Sequence, residues 1–170
     1  GDLDGDGTDD MFIPCGANQR DYLFFNNRGR GKPFFELEGN VSGESTCPLF
    51  FDADGDGDLD LYLAQGSYEF PANSAAHQDK LYLNQGTGTF SLAPPGAIPE
   101  SKTPSGQVCA SDFDHDGDLD LFVAGRVSPG CYPMAPPSQL LRNDTTNGKV
   151  TFTNVTADLA PNLLKDPITV

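Results

Sequence analysis

"FDADGDGDLDLYLAQG", residues 51–66, sets Asp52, Asp54, Asp56, Asp58 and Asp60 at every second position and then turns apolar. Carboxylates crowded on so short a loop repel one another by roughly a kcal/mol per pair even in water. A chain keeps such a loop either as a solvated acidic turn or around something positive. Two further copies favour the second reading. "DLDGDGTDD" covers 2–10 and "DFDHDGDLD" covers 112–120, and each runs straight into a hydrophobic stretch. The windows 2–10, 52–60 and 112–120 hold five aspartates each and no Lys or Arg. Fifteen of the 25 acidic residues lie there, and the remainder balance the 10 Lys and Arg. The formal charge of −15 is therefore local chemistry, not a generally acidic surface.

At 170 residues, 37% hydrophobic and 21% charged, the chain is long enough for one domain with its own core. Its 19 Gly and 14 Pro among many short apolar runs point to strands and turns. No apolar run approaches the roughly 20 residues needed to span a bilayer. The acidic balance argues against nucleic acid, which needs a basic face. Cys15, Cys47, Cys109 and Cys131 form no C-x-x-C pair. They suit two disulfides in an oxidising compartment better than a zinc site.

Aligning the acidic loops also aligns the segments downstream of them. Each loop leads into a β-type run: "DMFIPC", "LDLYLA" and "LDLFVA". A second run ends in Asn26, Asn84 or Asn143, then a Gly-rich turn delivers a third run carrying Phe. A fourth, "TCPLFF" or "QVCAS", precedes the next acidic loop. Four short antiparallel strands per repeat describe a β-propeller blade. The expected architecture is all-β: a partial propeller of about three four-stranded blades, with repeats at about 1–51, 52–111 and 112–170. The strand before each acidic loop is innermost, and the loop is the hairpin to the next strand out.

Alternate aspartates in a tight loop aim several oxygens into one cavity, and calcium takes six to eight oxygens at about 2.3–2.6 Å. By position, the expected ligands are Asp2, Asp4, Asp6, Asp10 and the Thr8 carbonyl in the first loop. The second offers Asp52, Asp54, Asp56, Asp60 and the Asp58 carbonyl; the third offers Asp112, Asp114, Asp116, Asp120 and the Asp118 carbonyl. His115 stands at a non-ligand position and reads as a surface histidine. An EF-hand would need Glu at the twelfth position and a following helix. Here Ile13, Leu63 or Val123 occupies that position and strand formers come next. Magnesium is disfavoured because it tolerates few all-protein cages. Three calcium sites are expected.

The three loops together with "LYLNQGTGTF" resemble the FG-GAP, or VCBS-type, calcium-binding repeats of integrin α-subunit propellers and of many secreted proteins. The resemblance covers essentially the whole chain and implies the same fold and the same calcium ligands. Its members include adhesion receptors, lectins and polysaccharide lyases, so it implies no single function. A Phe-Gly…Gly-Ala-Pro signature is not evident, and an integrin identity is not implied.

Catalytic constellations are absent: no G-x-S-x-G, H-E-x-x-H or phosphate loop occurs. His77, in "PANSAAHQDK", reads as an exposed loop residue. The expectation is a non-catalytic, calcium-stabilised recognition, adhesion or assembly module, extracellular, on the cell surface or periplasmic, with a protein or glycan ligand. The alternative is part of a propeller-type polysaccharide lyase or hydrolase whose catalytic residues lie outside this segment. Tyr68, Phe70, Tyr132 and Met134 fall in variable loops at the end opposite the acidic loops and are the candidate ligand face. Strand ends suggest disulfides Cys15–Cys47 and Cys109–Cys131. Sequons at Asn40, Asn143 and Asn154 agree with export. The register also predicts that "DPITV" is an innermost strand and that a longer chain or further copies close the ring.

Overall fold

The computed structural model describes residues 1–26, 34–36 and 43–165. Its strands fall into three antiparallel sheets. The first is β1 (Met11–Ile13), β2 (Tyr22–Phe24) and β3 (Phe34–Glu36). The second is β4 (Ser45–Phe51), β5 (Asp60–Gln65), β6 (Lys80–Asn84) and β7 (Phe90–Leu92). The third is β8 (Ser105–Ser111), β9 (Asp120–Gly125), β10 (Gln139–Asn143) and β11 (Phe152–Asn154). Within each sheet the strands lie in chain order. First strands adjoin between sheets, β4 against β8, with the Thr46 hydroxyl 3.0 Å from the Ser105 carbonyl. The molecule is a partial β-propeller, as the repeat pattern predicts.

Alternation along β5 explains how the blades stack. Every residue from Asp60 to Gln65 is buried, yet successive side chains of a strand point to opposite faces. Leu61 and Leu63 join Leu3, Phe12, Leu23, Phe25 and Tyr82 in a core against the first blade. Tyr62 and Ala64 join Phe51, Val108, Leu121, Val123 and Phe152 in a core against the third. A strand apolar on both faces is what a sandwiched blade requires, and each buried Leu contributes about 1.5–3 kcal/mol. Phe51 pairs with Asp60 across the hairpin, so the acidic loop sits where strands of two cores begin.

Antiparallel pairing sends the acidic loops and the Gly-rich turns at 85–89 and 144–151 to one end of the blades. The connections 66–79, 93–104 and 126–138 go to the other. Short helical pieces appear where the sequence suggested only loop: a 3-10 turn at Ala75–His77, α1 (Thr156–Leu159) and a 3-10 turn at Pro161–Leu164. The first corrects the reading of His77. The turn folds the connection inward, so the ring is fully buried, with Nε2 3.2 Å from the Pro71 carbonyl and Phe70 edge-on at 6.3 Å.

The cysteine pairs are also corrected, because Cys15, Cys47, Cys109 and Cys131 are all free. Cys47 turns its sulfur away from the first blade, to 3.6 Å from Gln107 Oε1 on β8. Cys109 pairs in register with Phe122, whereas Cys131 lies beyond Gly125, which pairs with Ser105. Four residues of strand separate Cys109 from that end, about 13 Å at 3.3 Å per residue. The expected strand "DPITV" and the sequon at Asn40 lie outside the described residues.

Candidate metal centre

The first aspartate of each loop is its hub. Asp52 accepts from the Gly55 N–H at 2.8 Å and the Gly57 N–H at 3.0 Å. Asp2 does the same with Gly5 and Gly7 at 2.9 Å each, and Asp112 with His115 at 2.7 Å and Gly117 at 3.2 Å. Wrapping two later N–H groups around one carboxylate forces left-handed backbone at Gly5, Gly55 and His115, with φ of 75°, 79° and 64°. Glycine adopts this freely and histidine tolerates it. His115 is exposed and outside the acidic cluster, as expected. The fifth-position carboxylates then accept from the seventh N–H: Asp6 from Thr8, Asp56 from Asp58 and Asp116 from Asp118, at 2.8–3.0 Å.

The ninth aspartate closes the loop from below and is buried in all three copies. Asp60 accepts from Ala53 N–H and Asn84 N–H, both at 2.8 Å. Asp10 takes Leu3 and Asn26 at 2.8 and 2.9 Å, and Asp120 takes Phe113 and Asn143 at 3.0 and 2.8 Å. Burial pushes Asp60 up to about 6 against the pull of its two donors, and Asp54 and Asp56 add repulsion. Asp4, Asp54 and Asp114 are likewise raised, first by desolvation and then by neighbouring carboxylates.

These loops draw together Asp2, Asp4 and Asp6; Asp52, Asp54 and Asp60; and Asp112, Asp114 and Asp120, with one oxygen from each carboxylate within 4.8 Å of the others. Asp10, Asp56 and Asp116 stand outside these triads. The Thr8 hydroxyl, with one proton to donate, lies within hydrogen-bond reach of both Asp6 and the Asn26 carbonyl. Among the described residues, no Lys or Arg forms an ion pair with the second or third triad. An all-oxygen donor set with excess negative charge fits a hard divalent cation.

Two sets of residues matter here although the sequence pattern assigns them no role. The Asn84 side chain donates to the Leu3 carbonyl at 2.8 Å and the Leu59 carbonyl at 3.2 Å. Asn143 repeats this with Ala53 at 3.0 Å and Leu119 at 3.3 Å. Each asparagine therefore ties its own acidic loop to that of the preceding blade; the signal in the sequence is their common register. At the opposite end, Asp21 accepts from Cys15 N–H and Ser45 Oγ, and Asp79 from Gln65 N–H, Tyr62 Oη and Ser105 Oγ.

The FG-GAP-like repeat profile matches residues 2–63 and 70–123, more than half of the chain and all three of its acidic loops in full. The chain belongs to the FG-GAP-like repeat family. No curated protein matches it. The third acidic loop lies wholly within the second matched FG-GAP-like segment, and its backbone hydrogen bonds repeat those of the other two. Of the candidate ligand-face residues outside the acidic loops, Tyr68, Tyr132 and Met134 are exposed, Tyr132 to 81%. Phe70 is half-buried against His77 instead. No described helix is long and apolar enough to cross a membrane.

Proposed function

We propose that this chain is a calcium-stabilised recognition module, non-catalytic in this segment, of an extracellular, cell-surface or periplasmic protein. The observation that carries this reading is a cluster of three aspartates in each of the three acidic loops, all at one end of the blades. Asp2, Asp4, Asp6, Asp10 and the Thr8 carbonyl would hold one calcium. Asp52, Asp54, Asp56, Asp60 and the Asp58 carbonyl would hold a second, and Asp112, Asp114, Asp116, Asp120 and the Asp118 carbonyl a third. Bound calcium supplies positive charge that cancels carboxylate repulsion and fixes the hairpin. The residues themselves set the loop: the first aspartate gathers N–H groups, and the ninth anchors the base. The rigid scaffold presents the loops at its other end, where Tyr68, Tyr132 and Met134 offer apolar contact to a protein or glycan.

The test is calorimetric titration of the calcium-free protein. Three calcium ions per chain, with affinity in the range of roughly 10⁻⁴–10⁻³ M or tighter and little competition from magnesium, are expected. Absence of both binding heat and a calcium-dependent melting shift would overturn the metal reading. New unsaturated or reducing ends on incubation with polysaccharides would overturn the non-catalytic one.

A further inference from the structure

We infer that Asn84 and Asn143 couple neighbouring metal loops, so that filling one loop strengthens the next. The inference rests on the calcium reading above but concerns residues outside the ligand sets. One hydrogen-bonded chain runs through all three loops. Asp10 Oδ2 accepts from Leu3 N–H, whose carbonyl accepts from Asn84 Nδ2, and Asn84 N–H donates to Asp60 Oδ1. Asp60 Oδ2 accepts from Ala53 N–H, whose carbonyl accepts from Asn143 Nδ2, and Asn143 N–H donates to Asp120 Oδ1. Every link is between 2.8 and 3.0 Å.

From Leu3 onward each member is no more than 2% exposed, so water does not compete for these bonds. Hydrogen bonds in series strengthen one another in such a medium. A cation drawing on Asp60 fixes the Ala53 peptide, and the Ala53 carbonyl orients the asparagine that holds Asp120. The next loop is then ordered before its own cation arrives, and a loop already ordered binds with a smaller entropic cost. Asn84 Oδ1 is buried without a partner among the described residues. Burying an unpaired amide oxygen is unfavourable, so this side chain is held there by its donors. Coupling of this kind typically spans fivefold to 150-fold in affinity, and about tenfold is expected here.

The test is a double-mutant cycle on the whole chain, read by hydrogen–deuterium exchange of peptides covering 112–120 against calcium concentration. Asp54→Asn disables the second loop and should raise the calcium midpoint of the third about tenfold. In an Asn143→Leu background the same change should leave that midpoint where it is. An equal shift in both backgrounds, or no shift in the native one, overturns the coupling while leaving calcium binding intact. Absence of calcium-dependent protection in any loop overturns both readings together. Should Asn143→Leu not fold, Asn84→Leu with Asp4→Asn tests the first pair of loops, read at 52–60. A purely architectural asparagine would lower calcium-free stability and still give equal shifts.

Discussion

Adjacent blades are stitched at both ends, and the two ends use opposite electrostatics. At the acidic end, three carboxylates crowd each loop and neutral asparagine amides bridge between blades. At the far end a single carboxylate serves each junction, saturated by protein donors. Asp79 accepts from Gln65 N–H at 2.7 Å and from Tyr62 Oη and Ser105 Oγ at 2.8 Å. The far end is complete with protein alone; the acidic end is short of positive charge. That difference explains why the loops at one end are near-copies while 66–79 and 126–138 are free to vary. Contact there is nonetheless close: a Cβ on Gly66 would fall 2.1 Å from the Ser105 carbonyl oxygen.

Chelation is the strongest way to separate the ends. A site held at a hundredfold excess over its dissociation constant contributes about 2.7 kcal/mol, so three contribute about 8. At about 2–4 °C per kcal/mol for a domain of this size, excess EDTA should lower Tm by about 16–30 °C, read by circular dichroism. Exchange protection should fall at 52–60 and 84 and persist at 62–66 and 79. A melting curve indifferent to EDTA would erase the distinction.

Removing the far carboxylate comes next. Asp79→Ala leaves the Tyr62 and Ser105 hydroxyls and the Gln65 N–H buried without their acceptor. At about 1–3 kcal/mol for each stranded group, partly relieved by relaxation, the loss should be about 3–5 kcal/mol in urea unfolding. It should be the same with calcium or with EDTA. A loss that depended on calcium would mean that the two ends are coupled after all.

The contrast was half legible in the sequence. The acidic loops are contiguous and identically spaced, so their repeat, the hairpins they form and the strand order came from pattern alone. The far clasp is not contiguous. Asp21 and Asp79 stand 19 and 27 residues after the first aspartates of their loops, because the intervening connections differ in length. They therefore read as scattered acids. Ser45 and Ser105 each precede the next loop's first aspartate by seven residues, a register that was visible without an assigned role. The asparagines were aligned too, but their partners are peptide carbonyls of another repeat, which no local pattern displays. Polar neighbours make His77 read as exposed, whereas the Ala75–His77 turn buries it.

Acidity sharpens the comparison further. Burial pushes Asp79 up to about 6, outweighing its three donors, against about 3.9 in an unfolded chain. The folded state therefore binds this proton more tightly than the unfolded state does. The stabilisation is fully present below about pH 4 and is lost as pH rises through about 6. Two units amount to about 3 kcal/mol, an order-of-magnitude figure. In EDTA, native stability relative to Asp79→Asn should fall by about that much between pH 4 and 6.5. A constant difference would mean that Asp79 stays ionised throughout.

The smallest effect is expected at the cysteines, and it tests the strand register. A bridge between Cys109 and Cys131 would cost about 2–5 kcal/mol to remove. In the structure Cys109 lies along β8 opposite Phe122, four residues from the end of the strand where the β9–β10 connection departs. Both thiols are exposed and free. Cys109→Ser and Cys131→Ser should each change stability by less than about 0.5 kcal/mol, as for surface substitutions generally. Reductant should leave Tm unchanged, and thiol titration of the unreduced, unfolded chain should find all four cysteines. A larger loss, equal in the two variants and matched by reductant, would require Cys109 and Cys131 to meet. Strand β8 would then have to slide by several residues, and Ser105 would leave Asp79.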